Sequence, residues 1–214
     1  MVWKRYDFPT EEHGTNGRSI TELIGHLGRI ASGKGLVESL TPGQSAVLRY
    51  FARANRFSRT PSAFAAFHGT TRGTASQTIK SLVAQGYLTP SRSETDGRSV
   101  QLDLTDKARV GIPKDPLAAL VRAADALPSG VRGHFSKTLE RMLSDVALEL
   151  GKSPFGMCET CAHFESEGCC EDGLALYACG FVNEPLTEDE LDELCINFTP
   201  GKSSPPRSLG VGAV

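Results

Sequence analysis

The first 157 residues of this 214-residue chain contain no cysteine, whereas all six cysteines lie between positions 158 and 195. The sequence also lacks any apolar run of the roughly 18 residues that a membrane-spanning helix needs. Its N-terminal segment MVWKRYDFPTEEHG has no apolar stretch typical of a signal peptide. These absences predict a protein of the reducing cytoplasm with no membrane partner. In that compartment a cysteine cluster binds metal or reacts more often than it forms disulfides.

Acidic residues are scarce in one segment and basic residues in another, although the whole chain carries a formal net charge of only −2. Residues 41–110 contain ten Lys and Arg but only four Asp and Glu. Residues 151–200 contain eleven acidic residues and a single basic one, Lys152. A basic segment followed by an acidic, cysteine-bearing one indicates a part that binds a polyanion and a separate part with another task.

Apolar periodicity predicts a mainly α-helical chain with one small β-hairpin, which is an α+β fold. Thr41, Thr60 and Thr71 each stand in the N-cap position before a helical pattern, and the first two are followed by proline. The apolar period then changes to two in YLTPSRS and SVQLDLT, which flank an Asp-Gly turn signal. Two further helices are predicted near residues 116–127 and 131–150.

These patterns divide the chain into five parts. They are an N-terminal arm with a helix that begins at Ser19 (1–40), a winged helix-turn-helix core (41–110), two dimerisation helices (111–152), a cysteine-rich metal-binding segment (153–200) and a disordered tail (201–214).

The order of three helices followed by a hairpin is that of a winged helix-turn-helix, whose third helix enters the major groove of DNA. The polar face of this helix would present hydrogen-bonding side chains to base edges, and its N-cap would contact a phosphate. An arginine at the hairpin tip can follow the minor groove. The residues predicted to contact DNA on these grounds are Thr71, Arg72, Ser76, Gln77, Lys80, Arg92 and Arg98.

The runs LTPGQSAVLRYF, TTRGTASQTIKSLVAQGYL and DGR…LT resemble the DNA-binding core of the MarR family of bacterial transcriptional regulators. The resemblance covers about Thr41–Ala108. It implies that the wing carries a functional Asp and Arg two positions apart, here Asp96 and Arg98. It also implies a homodimer that binds double-stranded DNA at a pseudo-palindromic operator, usually as a repressor.

A dimer is also expected from the helices that flank this core. The first helix and the last long helix carry a wider apolar stripe than a 70-residue winged helix can cover. Pairing of these helices about a two-fold axis would bury the stripe and place two recognition helices about one DNA turn apart.

The cysteine-rich segment predicts an inorganic centre. Cys158 and Cys161 form a CxxC motif, and Cys179 and Cys195 follow as single cysteines. Four thiolates from separate turns can converge on one metal ion or cluster. A capping box from Thr187 to Glu190 predicts a short acidic helix before the last cysteine. Weaker candidate ligands are Cys169, Cys170 and His163.

The sequence is compatible with three kinds of centre. Single cysteines that complete one CxxC are typical of an iron–sulfur cluster, either [2Fe–2S] or [4Fe–4S]. The resulting hypothesis is a regulator whose operator affinity follows redox state or iron, through movement of the dimerisation helices. The alternatives are a structural zinc site in a regulator that responds to a small aromatic ligand, and a metal-free thiol switch. A CxxC thiol–disulfide enzyme is disfavoured because the motif lacks a βαβ context, so no enzymatic activity is expected.

Overall fold

The computed structural model describes residues 16–32, 40–92, 100–112, 115, 117–152, 154–166 and 176–201. At position 92 it describes the backbone only. Several predicted features therefore lie outside the described residues: the arm before residue 16, Asp96, Arg98, Cys169, Cys170 and the tail after residue 201. Among the helices that are described, none is long and apolar enough to cross a membrane.

The N-terminal two thirds of the described chain are mainly helical. The elements in chain order are α1 (Gly17–Ser32), α2 (Pro42–Arg53), α3 (Pro61–His68), α4 (Arg72–Ala84), β1 (Leu88–Arg92), β2 (Val100–Leu104), α5 (Asp106–Gly111), α6 (Leu117–Asp125) and α7 (Ser129–Glu149).

The remainder contains short strands and single 3₁₀ turns. They are β3 (Gly156–Met157), a turn (Cys158–Thr160), β4 (Phe164–Ser166), β5 (Tyr177–Cys179), β6 (Glu184–Leu186), a turn (Glu188–Asp192) and β7 (Leu194–Cys195).

The helix starts follow the predicted caps in the winged helix. The Thr41 hydroxyl accepts a hydrogen bond from the backbone N–H of Gln44, whose side chain accepts one from the N–H of Thr41, a complete capping box. Thr60 and Thr71 cap α3 and α4 in the predicted positions. The expected start of α1 at Ser19 is wrong by two residues. Asn16 caps this helix, because its Oδ1 accepts a hydrogen bond from the N–H of Ser19.

One hydrophobic core joins α2, α3, α4 and the hairpin. Val47 of α2, Leu82 of α4 and Leu102 of β2 are buried together in it. The hairpin is a two-stranded antiparallel sheet in which Pro90 lies opposite Leu102, so the proline occupies an edge strand. A period of two in β2 puts Val100, Leu102 and Leu104 on one face, but only Leu102 and Leu104 are buried and Val100 is exposed. This arrangement confirms the predicted mainly α fold with a small β wing.

The cysteine lobe, which we define as residues 154–166 and 176–201, is built from two small antiparallel sheets. One sheet has the strand order β4-β5-β6, and the other pairs β3 with β7. Leu186 and Leu191 are buried in its core with two of the cysteines, and Phe57 from the α2–α3 loop packs against them. The expected acidic helix before Cys195 is a 3₁₀ turn that retains the predicted capping box.

The flanking helices expose most of their apolar residues. Neither α6 nor α7 has a buried residue, although α7 has 21 residues. α1 lies against α6, and among the α1 side chains that the structure describes only Ala31 is buried. The exposed large apolar residues of these helices are Ile20, Leu23, Ile24, Leu27, Ile30, Val121, Val131, Phe135, Leu143, Val146 and Leu148.

Candidate nucleic-acid interface and cysteine centre

Helix α4 presents the polar face that was predicted to contact DNA. Ala75, Ile79 and Leu82 are buried against the winged-helix core. Arg72, Gln77 and Lys80 are exposed, Ser76 is half-buried and the N-cap Thr71 is exposed. The helix is amphipathic because its apolar residues recur every three or four positions. It therefore offers two cations and an amide to an approaching ligand, and their contact with DNA stays a prediction.

A surface groove runs beside this face. It is bounded by the start of α3 (Thr60, Pro61, Ser62), by Arg72 and Ser76 of α4, and by Val100 of the wing, and its volume is about 320 Å³. The half-buried state of Ser76 and the exposed state of Val100 both follow from their positions at this groove. Donors at a helix start and an arginine suit the oxygens of a phosphate backbone.

The basic and acidic segments are not two separate surfaces, as their charge asymmetry had suggested. Arg56 contacts Glu190 at 2.6 Å and Glu184 at 3.1 Å. Arg59 contacts Glu193 of the cysteine lobe at 3.3 Å. Part of the positive charge of the winged helix is therefore neutralised by the lobe, and the charge available for DNA is smaller than the sequence count implies.

The four cysteines of the predicted centre line one small cavity. Cys158, Cys179 and Cys195 are buried and Cys161 is half-buried. Two strand pairings bring the segments together, since Cys179 lies opposite Phe164 and β7 pairs with the strand that precedes the CxxC turn. The cavity has a volume of about 10 Å³, and its other lining residues are His163, Phe164, Leu186 and Asn197.

The electrostatics of the cavity disfavour thiolates that have no cation. Burial, together with the negative charges of Cys195, Cys179, Cys161 and Glu190, raises the pKa of Cys158 to about 12. Burial also raises the pKa of Cys195, although an interaction with the Asn55 side chain opposes this shift. Reactive cysteines need a lowered pKa. The buried thiols are therefore poor nucleophiles, and a bound metal would stabilise them as thiolates.

Four thiols that line one cavity are the donor set of both zinc sites and iron–sulfur clusters. Among the described residues, however, no group of three or more His, Cys, Asp or Glu side chains is positioned to hold a metal ion. Nε2 of His163 lies 3.0 Å from the Thr199 hydroxyl, which leaves this histidine a weaker candidate ligand.

The polar contacts of the lobe go to the α2–α3 loop of the winged helix. Chain order places the cysteines directly after α7, which favoured a connection through the dimerisation helices. The observed hydrogen bonds instead join the N–H of Asn55 to the carbonyl of Leu194 at 2.9 Å, and the N–H of Ile196 to the Ser58 hydroxyl at 2.8 Å. No sequence signal marks Asn55 or Ser58 for this role, because contacts between distant segments leave no local pattern.

The helical part of the chain is similar to known proteins in sequence and in fold. The family model for the MarR family matches residues 38–99. A MepR mutant from a multidrug-resistant S. aureus clinical isolate has a TM-score of 0.50 at 16% identity, covering 63% of this chain and 99% of that one. Streptococcus pneumoniae FabT in complex with DNA has a TM-score of 0.43 at 23% identity, covering 60% and 93%. The transcriptional regulator SlyA has a TM-score of 0.48 at 21% identity, covering 61% and 95%.

A comparison with curated protein sequences found no match. More than a third of this chain lies outside each structural match above. The winged-helix fold and the family match agree over the same segment. Residues 38–99 thus match the MarR family model and fold as a winged helix.

Proposed function

We propose that this protein is a cytoplasmic homodimer that represses transcription from a pseudo-palindromic operator, and that a cysteine-ligated iron–sulfur cluster adjusts its operator affinity. Redox state or iron supply would be the signal. The ligands would be Cys158, Cys161, Cys179 and Cys195. The observation that carries the proposal is the single cavity that these four cysteines line, in a lobe bonded directly to the winged helix.

The exposed helices support the dimer. A helix as long as α7 with no buried residue gains little stability from its own chain, because helices in proteins are stabilised mainly by packing of an apolar face. Two-fold pairing with the same helices of a second copy would bury the exposed apolar residues of α1, α6 and α7. This pairing would hold two α4 helices about one DNA turn, roughly 34 Å, apart.

The exposed face of α4 supports DNA recognition by this helix. Arg72 and Lys80 carry positive charge, and Gln77 can bond a base edge. Among the structural neighbours, FabT and MepR have each been solved with bound DNA. The wing would complete the interface through Arg92, Asp96 and Arg98.

Cysteine spacing and surroundings support a cluster. One CxxC motif with two single cysteines is typical of iron–sulfur ligation, and Phe164 and Leu186 shield the cavity with apolar surface. A bound cluster would supply a redox couple and a signal of iron supply. Metal ligation contributes on the order of 10 kcal/mol to local folding, whereas allosteric control of binding needs about 1–3 kcal/mol. The centre therefore has enough free energy to control DNA binding even if most is dissipated.

Anaerobic purification followed by an ultraviolet–visible spectrum and by iron, sulfide and zinc analysis tests the cluster. A brown protein with visible charge-transfer absorbance and equal iron and sulfide supports it. Operator fragments selected from random duplex DNA then test whether binding changes when the same sample is oxidised by air. Absence of iron and sulfide contradicts the cluster, and binding that does not change on oxidation contradicts the sensor.

A second candidate is a zinc-stapled regulator that responds to a small aromatic ligand. The cavity of about 10 Å³ at the cysteines favours a single ion over a cluster. A separate cavity of about 300 Å³ lies between α3 and the cysteine lobe. Phe155 and Ile196 offer apolar surface there, and Lys152 offers a positive charge. A colourless protein with one zinc per chain, whose melting temperature rises with benzoate, would support this candidate instead.

A further inference from the structure

The backbone on both sides of Cys195 is bonded to one loop of the winged helix. We name residues 54–59, between α2 and α3, the coupling loop. Its Asn55 N–H donates to the carbonyl of Leu194, and the N–H of Ile196 donates to the Ser58 hydroxyl. The Ser58 hydroxyl in turn donates to Oδ1 of Asn55 at 2.7 Å. The position of the last cysteine is therefore tied to two fully buried polar residues of this loop.

Asn55 also faces the cysteine itself. Its Nδ2 is buried and has no hydrogen-bond partner among the described residues. The amide nevertheless lies close enough to Cys195 to oppose the rise in the pKa of that thiol that burial causes. Asn55 therefore adjoins the cysteine centre as well as the backbone of β7.

The other side of the coupling loop holds the wing. The N–H of Leu102 in β2 donates to the carbonyl of Arg59 at 2.9 Å, and Nε2 of Gln101 donates to the carbonyl of Arg56 at 3.0 Å. The Arg59 guanidinium lies between the two parts, 3.3 Å from Asp103 of the wing and 3.3 Å from Glu193 of the lobe.

The loop is also bonded within the winged helix, so it has little freedom to absorb a displacement. Nε of Arg59 donates to the carbonyl of Ala54 at 2.9 Å. The buried Tyr50 hydroxyl donates to the carbonyl of Ser58 at 2.8 Å. A movement of β7 therefore has a bonded route to the DNA-binding hairpin that passes through neither α1, α6 nor α7.

We infer that the coupling loop transmits the state of the cysteine centre to the wing, and that Arg59 is the positioning residue that joins the lobe to β2. This inference rests on the proposed function in that it makes the cysteine lobe the regulatory part of the molecule. An ordered lobe holds Arg59 against Asp103 and restrains β2 through the Leu102 hydrogen bond. When the lobe loosens, Glu193 separates from Arg59, and the β1–β2 hairpin becomes less ordered.

Amide hydrogen exchange on the full-length protein tests the connection without requiring any metal. Leu191→Ala removes a fully buried side chain from the lobe core, so we expect faster exchange in the lobe. We also expect at least about fivefold faster exchange in the peptide that covers residues 100–104, in line with typical allosteric coupling. In an Arg59→Gln background this second increase should disappear, while the lobe still responds.

Two further variants keep the test decisive. Glu193→Ala removes only the lobe partner of Arg59 and should weaken the response of the wing even if Arg59→Gln disturbs folding. Arg141→Gln alters an exposed arginine of α7, whose partner Asp145 is 3.9 Å away, and should leave the response unchanged. Faster exchange in the lobe with unchanged exchange at 100–104 would overturn the coupling.

A second arm separates this inference from the proposed function. Exchange is measured on the same protein as purified and after removal of its metal, with iron, sulfide and zinc quantified in each sample. A metal-free preparation contradicts the cluster but leaves the Leu191→Ala comparison to decide the coupling. A metal-loaded protein whose wing does not respond to metal removal overturns the coupling and leaves the cluster intact.

Discussion

At the scale of single residues, the four cysteines of the lobe differ in how they are held. Cys158 and Cys161 belong to one turn, in which the N–H of Cys161 donates to the carbonyl of Cys158 at 3.0 Å. Cys195 lies instead on a two-residue strand whose neighbours are bonded to the coupling loop. Loss of Cys195 should therefore affect both the centre and the winged helix, whereas loss of Cys161 should affect the centre alone.

Replacement of Cys195 by serine should strip the centre. We expect Cys195→Ser to retain at least about tenfold less iron than the unmodified protein after anaerobic purification, because it removes a soft ligand. Cys169→Ser is the matched control, since this residue was a weaker candidate ligand, and it should keep its iron. Equal iron content in the two variants would show that the ligand set is wrong.

The pKa of Cys158 predicts an alkaline loss of stability in the metal-free protein. Its folded-state pKa of about 12 lies above its ordinary value of 9.0, so folding favours the neutral thiol. The stabilisation is fully present below pH 9 and is lost as pH rises from 9 towards 12, at about 1.4 kcal/mol per pH unit.

Urea unfolding with a reductant present at pH 8 and pH 10 measures this loss. The metal-free wild type should lose about 1.4 kcal/mol more than Cys158→Ser between these pH values. An equal loss in both proteins would assign the alkaline instability to other groups.

At the scale of elements, local signals in the sequence predicted the winged helix well and the lobe poorly. Thr41, Thr60 and Thr71 mark helix starts because a cap involves residues only three positions apart. The strands of the lobe have two or three residues each, too few to show an alternating pattern. The pairing of Arg56 with Glu190 joins residues 134 positions apart, so only the folded chain reveals it.

The recognition helix carries a prediction of its own. Arg72→Ala or Lys80→Ala should weaken binding to a selected operator and reduce the slope of log affinity against log salt by about one, if each cation neutralises one phosphate. Fluorescence anisotropy titrations at several salt concentrations measure both quantities. Lys137→Ala removes an exposed cation of α7 and should change neither. An unaltered salt slope in the α4 variants would remove these cations from the DNA interface.

At the scale of the whole molecule, the chain combines a winged helix that buries its own core with helices whose apolar residues stay exposed. The winged helix buries Leu48, Leu82 and Leu102 almost entirely, and the lobe has its own small core. By contrast, Leu143 and Val146 of α7 are at least half exposed. Sequence periodicity predicted these apolar stripes, but it could not tell whether the same chain covers them. The described structure leaves them uncovered, which fits a second copy.

The dimer can be tested by a charge placed on this surface. Leu143→Glu should convert the protein from dimer to monomer in size-exclusion chromatography with light scattering, because a carboxylate cannot be buried there without a partner. Operator affinity should fall by about 100-fold or more, since each chain then binds one half-site without the gain from linkage. Leu176→Glu changes an even more exposed leucine of the cysteine lobe and should leave both the dimer and its affinity intact. A Leu143→Glu protein that remains dimeric and binds its operator normally would place the interface elsewhere. The coupling loop would then have to control two winged helices that are held together by a surface other than α1, α6 and α7.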